Sequence, residues 1–170
     1  MNIFSSIAEK KNSTISPEVI VWMCKKIILD KSLPEKLRTS GLDFLYSVTF
    51  QQVKLLNKNV DLLREVVHTV SMVCSEPPKP DREEDIEYIQ EIALYLIQTL
   101  ASTVQSKKIY PMMMDEIITP LINSNDPNLM NTGFLVMAGL SDGCSERMRR
   151  SLANPIMSTL IPKGLNHPSP

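Results

Sequence analysis

Ser141-Asp142-Gly143-Cys144 places a hydroxyl, a carboxylate and a thiol within one short stretch. These are residue types of acyl-transfer chemistry. A working nucleophile also needs a base within reach. The chain has only two histidines, His68 and His167; neither is near this segment, and no Gly-x-Ser-x-Gly elbow occurs. The segment reads instead as a turn between two helices, where a helix start would lower the Cys144 thiol pKa slightly. Cys24 and Cys74 lie on apolar stripes and read as core residues. His68 shares a helix face with Asp61, Arg64, Glu65 and Ser71 and reads as solvated. His167 precedes Pro168 in a terminal loop, so the two histidines leave little for a zinc site. No catalytic residue, metal ligand or cofactor site is expected, and the chain reads as a binding protein, not an enzyme.

Charge is the more informative chemistry. Asp81, Glu83, Glu84 and Asp85 follow Glu76-Pro77-Pro78-Lys79-Pro80, with Arg82 the lone cation inside the run. One reading is a connector leading into a helix whose dipole favours early carboxylates. The other is an acidic contact for a basic partner segment, which makes these four residues the candidate cargo contacts. The basic groups Lys10-Lys11, Lys25-Lys26, Lys107-Lys108 and Arg147-Arg149-Arg150 are short and lack interleaved aromatics. They read as solvated helix ends, not as a nucleic-acid stripe.

Across all 170 residues, 18 Lys and Arg stand against 19 Asp and Glu. No global field draws the chain to nucleic acid or an anionic membrane. No apolar run approaches the roughly 18 residues of a membrane span, so membrane insertion is not expected. Three dispersed cysteines fit a reducing compartment, and Met1 is followed by no basic stretch of a secretory leader.

The elements that carry these groups are helical. Apolar residues recur at three and four, not at two. Ile20, Met23, Cys24, Ile27 and Ile28 form one stripe; Leu37, Gly41, Phe44, Leu45 and Val48 another. Leu62, Leu63, Val66, Val67, Val70, Val73 and Cys74 follow, then Ile86, Ile89, Ala93, Leu96, Ile97 and Leu100. Ile109, Met113 and Ile117 continue the series, with Met130, Phe134, Met137 and Ala138, and then Met148, Leu152 and Ile156. Met112-Met113-Met114 reads as core more than as an adaptable binding patch.

Helix starts are marked by Ser16-Pro17-Glu18, by the capping-box spacing of Ser32 to Glu35, by Asp81 to Glu84, and by Asp126-Pro127. The expected helices are 2–10, 17–30, 34–49, 60–75, 84–104, 109–123, 127–141 and 146–164. Pro120 and Pro155 fall inside two of them and predict a kink or a restart.

These helices repeat. Pro111 and Pro155, reading as openers of second helices, are 44 apart; Pro127 and Pro168, reading as openers of first helices, are 41 apart; Pro120 and Pro162 are 42 apart. The tail Gly164-Leu165-Asn166-His167-Pro168 echoes Asn123-Ser124-Asn125-Asp126-Pro127. A helix pair recurring at roughly 40–47 residues is the signature of a HEAT or armadillo solenoid. The predicted class is an all-α, HEAT-repeat α-solenoid of about three and a half helix pairs. Residues 1–76 hold repeats, the first partial; 77–85 are an acidic, proline-rich connector; 86–170 hold further repeats. A single helix pair cannot bury enough apolar surface to offset its ordering, so each must share faces with neighbours. The chain opens inside a helix and stops where another should begin, so the expectation is a middle piece of a longer solenoid.

The stretch 131–165 resembles the importin-β superfamily of karyopherins, and within it the importin-four type of nuclear transport receptor. Gly133, Leu140, Ser141, Asp142, Gly143, Leu152, Pro155, Lys163, Gly164 and Leu165 carry the likeness, and Ser75-Glu76-Pro77-Pro78 with its acidic tract is similar to that family's inter-repeat connector. The resemblance implies a receptor that shuttles between cytoplasm and nucleus and wraps cargo with its inner helices, here 17–30, 60–75, 109–123 and 146–164. It implies basic cargo such as ribosomal proteins or histones, release on binding Ran-GTP through regions largely outside this segment, and contact with nuclear pore proteins. A HEAT-repeat scaffold subunit of another complex is the alternative.

Overall fold

Helix formation follows the apolar stripes, and among the described residues none takes a left-handed backbone conformation. A computed structural model describes residues 15–77, 88–155 and 162; the expected helix at 2–10 lies outside them. Among the described residues there are seven helices and no strand. Helix α1 is Pro17–Met23, continued by a π-helical turn over Cys24–Ile28. Helix α2 is Glu35–Gln51, α3 is Val53–Lys58, α4 is Val60–Cys74 and α5 is Ile89–Thr103. Helix α6 runs Ser106–Met112, a π-helical turn Met113–Ile118 and then Thr119–Ile122; α7 is Pro127–Pro155.

The helices stack as two layers. One holds α1, α4 and α6, the other α2, α5 and α7, with α5 packed between α2 and α7 and against α4. Chain order alternates between layers, the topology of a helical-pair solenoid. Buried residues from Ile15 to Cys144 form one continuous apolar cluster through both layers. The stripe on α4 is buried from Leu62 to Val73, and that on α5 from Ile89 to Leu100. Met112, Met113 and Met114 are core, as expected.

Several local expectations are corrected. Ser32 caps no helix: its amide and hydroxyl both donate to Asp30 Oδ1, and α2 starts after Pro34. Asn59 caps α4 by accepting from the Leu62 amide at 3.0 Å. Glu91 reaches back to the Tyr88 amide at 3.1 Å at the start of α5. Asp126 does cap α7, accepting from the Asn128 amide at 2.8 Å.

Helix α6 begins at Ser106, so Pro111 sits inside it and does not open it. The break expected at Pro120 takes the form of the π-helical turn just upstream, which widens the hydrogen-bond ladder ahead of a ring that would press on the carbonyl four residues back. The short helix α3 was not expected; it fills the turn between α2 and α4 and buries Leu56.

Residues 127–141 and 146–155 are arms of one helix joined at Cys144, whose φ of −122° and ψ of 15° leave helical values. The turn expected at 141–144 is this single-residue kink. The buried face of the first arm is also rotated from the expected stripe. Thr132, Gly133, Val136, Gly139 and Leu140 are buried, while Ala138 is exposed and Phe134 and Met137 only partly covered. Small residues take the contact face because the helices approach closely there. A Cβ on Gly133 would stand 2.8 Å from Ile122 Cγ1, and one on Gly143 only 2.0 Å from the Ala101 carbonyl oxygen.

Candidate binding surface

Helix α4 carries Asp61, Glu65, His68 and Met72 at spacings of four, three and four, which puts them on one face. That face belongs to the layer of α1, α4 and α6. Lys25 on α1 lies 3.4 Å from Glu65 Oε2. Arg64 Nε lies 3.1 Å from Glu116 Oε2 on α6, and its NH1 group lies 3.0 Å from Asp61. His68 Nε2 lies 2.8 Å from the same Glu116 oxygen. The result is a ladder of charge crossing three helices, with the exposed side chains of Trp22 and Met72 on α1 and α4.

His68 is therefore not simply solvated: it is half-buried and paired. The His68 hydrogen bond, with the neighbouring Arg64, holds the Glu116 carboxyl below the usual glutamate value. Exposed pairs of this kind contribute about 0–1 kcal/mol each. The ladder thus contributes little to cohesion and presents alternating charge on the surface of the layer.

Asp81, Glu83, Glu84 and Asp85 lie outside the described residues. Their flanks are described and are tied together. Arg38 grips Glu76 with two hydrogen bonds and donates its Nε to Ile28 O at 2.7 Å, capping the end of α1. Gln90 Nε2 donates to Pro77 O at 3.2 Å. The chain therefore leaves α4 and enters α5 at one anchored place. Sequence reasoning missed Arg38, which is 5% exposed, because a lone arginine on a helix reads as surface.

The thiols carry no activated chemistry. Burial pushes Cys24 up to about 11 and Cys74 up to about 12. Cys144 is raised as well, against the expected lowering, because burial in the kink disfavours the thiolate. Among the described residues no group of three potential metal ligands occurs, and no helix is long and apolar enough to cross a membrane.

Asn57 meets Gln105 and His68 meets Glu116, both 48 residues on, across successive helix pairs; Tyr110 meets Ser151 and Arg147 meets Ser106 between α6 and α7. The stacked helix pairs define the class of architecture: a HEAT-repeat α-solenoid.

Solved structures of Kap121p share this architecture. One, bound to Pho4p, matches with a TM-score of 0.75 over 89% of this chain and 16% of that one, at 13% identity. Another, bound to RanGTP, matches with a TM-score of 0.73 over the same shares. In sequence the chain is homologous to importin-4, at 25% identity to the Mus musculus protein and 26% to the Homo sapiens protein, over 99% of its own length. It spans about 17% of the length of each of these relatives. No family model matches.

Proposed function

We propose that the chain is a cargo-binding segment of a nuclear import receptor that acts without catalysis and shuttles between cytoplasm and nucleus. The observation that carries this reading is homology to importin-4 along 99% of the chain. A solenoid suits the task because stacked pairs expose a long continuous helix face, and charge placed along it selects an oppositely charged segment.

The cargo is a protein segment rich in lysine and arginine, such as those of ribosomal proteins or histones. Asp81, Glu83, Glu84 and Asp85 supply the acidic contact, with Asp61 and Glu65 of the ladder as further carboxylates. Ran-GTP releases the cargo, engaging the receptor largely outside residues 1–170. On the other layer, a cleft of about 330 Å³ between α2 and α5 is lined in part by Tyr46, Ile92 and Tyr95, and Tyr46 stacks edge-on against exposed Phe50 at 4.9 Å. Such a cleft suits apolar side chains of nuclear pore proteins.

The test is capture of a lysine-rich nuclear protein by the full receptor with Ran-GTP or Ran-GDP. Cargo is retained with Ran-GDP and lost with Ran-GTP; an interaction indifferent to the nucleotide overturns the transport reading. Replacing Asp81, Glu83, Glu84 and Asp85 by serine weakens binding about tenfold at low salt and less at high salt, since exposed charges are screened. Unchanged affinity removes those residues from the account.

A further inference from the structure

Histidine is the residue type whose charge changes between about pH 5 and 8, and the charge ladder across α1, α4 and α6 contains one. The His68 side chain is 41% exposed, so solvent protons reach it, and its Nε2 lies 2.8 Å from Glu116 Oε2. Glu116 is held below the usual glutamate value, first by that hydrogen bond and then by Arg64. It is therefore ionised across the whole histidine range, and an ionised carboxylate accepts and cannot donate. Nε2 must carry the hydrogen of the contact whether the ring is neutral or charged. The proton that sets the charge enters and leaves at Nδ1, which bonds to no described residue. The contact keeps its donor and acceptor in both states, and what changes is the charge.

Asp61, Glu65 and Glu116 give the ladder three carboxylates, and Lys25 and Arg64 give it two fixed cations. With His68 neutral the ladder holds one surplus negative charge; with His68 charged it holds none. The elements packed against α4 bring Glu18, Lys25 and Lys26 from α1, Lys54 and Lys58 from α3, Glu91 from α5, and Lys107, Lys108, Asp115 and Glu116 from α6. Residues 127–141 of α7 bring no charge. Glu91 is engaged by the Tyr88 amide and Lys108 by the Asn57 carbonyl. Of all these groups Glu116 is the one bonded to the imidazole, and none is a second histidine.

We propose that His68 is a pH-sensitive regulator of the ladder: a proton taken up at Nδ1 cancels the surplus negative charge and weakens the hold on a lysine-rich segment. The inference rests on the reading of Asp61 and Glu65 as cargo carboxylates. One unit charge acting through water over roughly one helix turn corresponds to about a threefold change in affinity at low salt, and the change shrinks as salt rises.

Fluorescence anisotropy tests it with a labelled lysine-rich peptide free of histidine, titrated with the full chain at low salt from about pH 5.5 to about pH 8.5, which brackets the histidine range. The parent binds about threefold more weakly at the acid end. His68→Gln removes that difference. His68→Lys, whose charge is fixed, binds about threefold more weakly than His68→Gln at every pH. Unchanged far-UV circular dichroism confirms that the variants fold. Nitrogen NMR of the parent ring reads the site of exchange directly: Nε2 stays protonated throughout, and Nδ1 changes. The proposal is overturned if the parent and His68→Gln share one pH dependence, or if Nε2 is the atom that titrates. A peptide held equally at both ends of the range overturns the regulator and leaves the cargo reading standing, whereas a peptide that binds at no pH overturns both.

Discussion

Arg38 and Glu76, in different helix pairs, form a two-pronged ion pair with NH2 to Oε1 at 2.5 Å and NH1 to Oε2 at 3.1 Å. Both side chains are nearly buried, at 7% and 12% exposure. The same guanidinium caps α1 at Ile28 O, so one side chain joins the end of the first helix to the root of the acidic connector. Removing one partner of such a pair leaves a desolvated charge behind. Arg38→Ala is expected to cost about 3 kcal/mol in urea unfolding. Arg38→Met combined with Glu76→Leu recovers most of that loss. A cost near zero for Arg38→Ala would show that the pair does not anchor the connector.

Of the two glycines of α7 that face α5, Gly143 leaves less room than Gly139. A methyl group there meets the Ala101 backbone, at 2.0 Å from the oxygen and 2.1 Å from the carbonyl carbon, and backbone cannot rotate away as a flexible side chain can. Gly143→Ala is expected to destabilise by about 3 kcal/mol, the upper part of the usual overpacking range. Gly139→Ala, whose nearest atom is Gln98 Cγ at 3.2 Å, costs clearly less. Thermal melts of the two variants give the comparison, and equal melting temperatures would contradict it.

Glu116 ties α6 to α4 through His68 and Arg64, and its carboxyl titrates below the ordinary 4.5. The folded state therefore holds this group ionised where the unfolded chain begins to bind a proton. The resulting stability is present above pH 4.5 and is lost as pH falls through the lowered value. Glu116→Gln lacks this contribution. The stability gap between parent and variant is expected to be widest near neutral pH and to close under acid conditions, as read by urea midpoints across pH.

Cys24 and Cys74, with pKa values pushed up to about 11 and about 12 by burial, carry almost no thiolate at neutral pH. A thiol-specific disulfide reagent should modify them in the folded chain at least about a hundredfold more slowly than in urea. Fast labelling of fully buried Cys24, located by peptide mapping, would show that the core opens locally; Cys74 is only partly buried.

Helix identity was legible because it rests on a local rule: α4 and α5 follow from period, and their stripes are buried from Leu62 to Val73 and from Ile89 to Leu100, while the capping groups Asn59 and Glu91 were not read. The roughly 44-residue repeat was legible because equivalent positions in stacked pairs share the same demands. The contact face of α7 was not. Its weight of hydrophobicity lies on Phe134 and Met137, while the packing lies on Gly133, Gly139 and Gly143, and closeness of approach does not show in hydropathy. His68 was misjudged and Arg38 missed for a related reason: they depend on partners 48 and 38 residues away.

By itself the sequence determined an all-helical chain of paired elements, with apolar stripes that must stack on one another because no single pair buries enough surface. Only the tertiary structure decided which charges meet. The register between neighbouring helices joins Lys25 to Glu65, Glu116 to His68, and Arg147 to Ser106. Those pairings depend on helix crossing and on close helix approach at glycines, which a linear pattern of residue types does not encode.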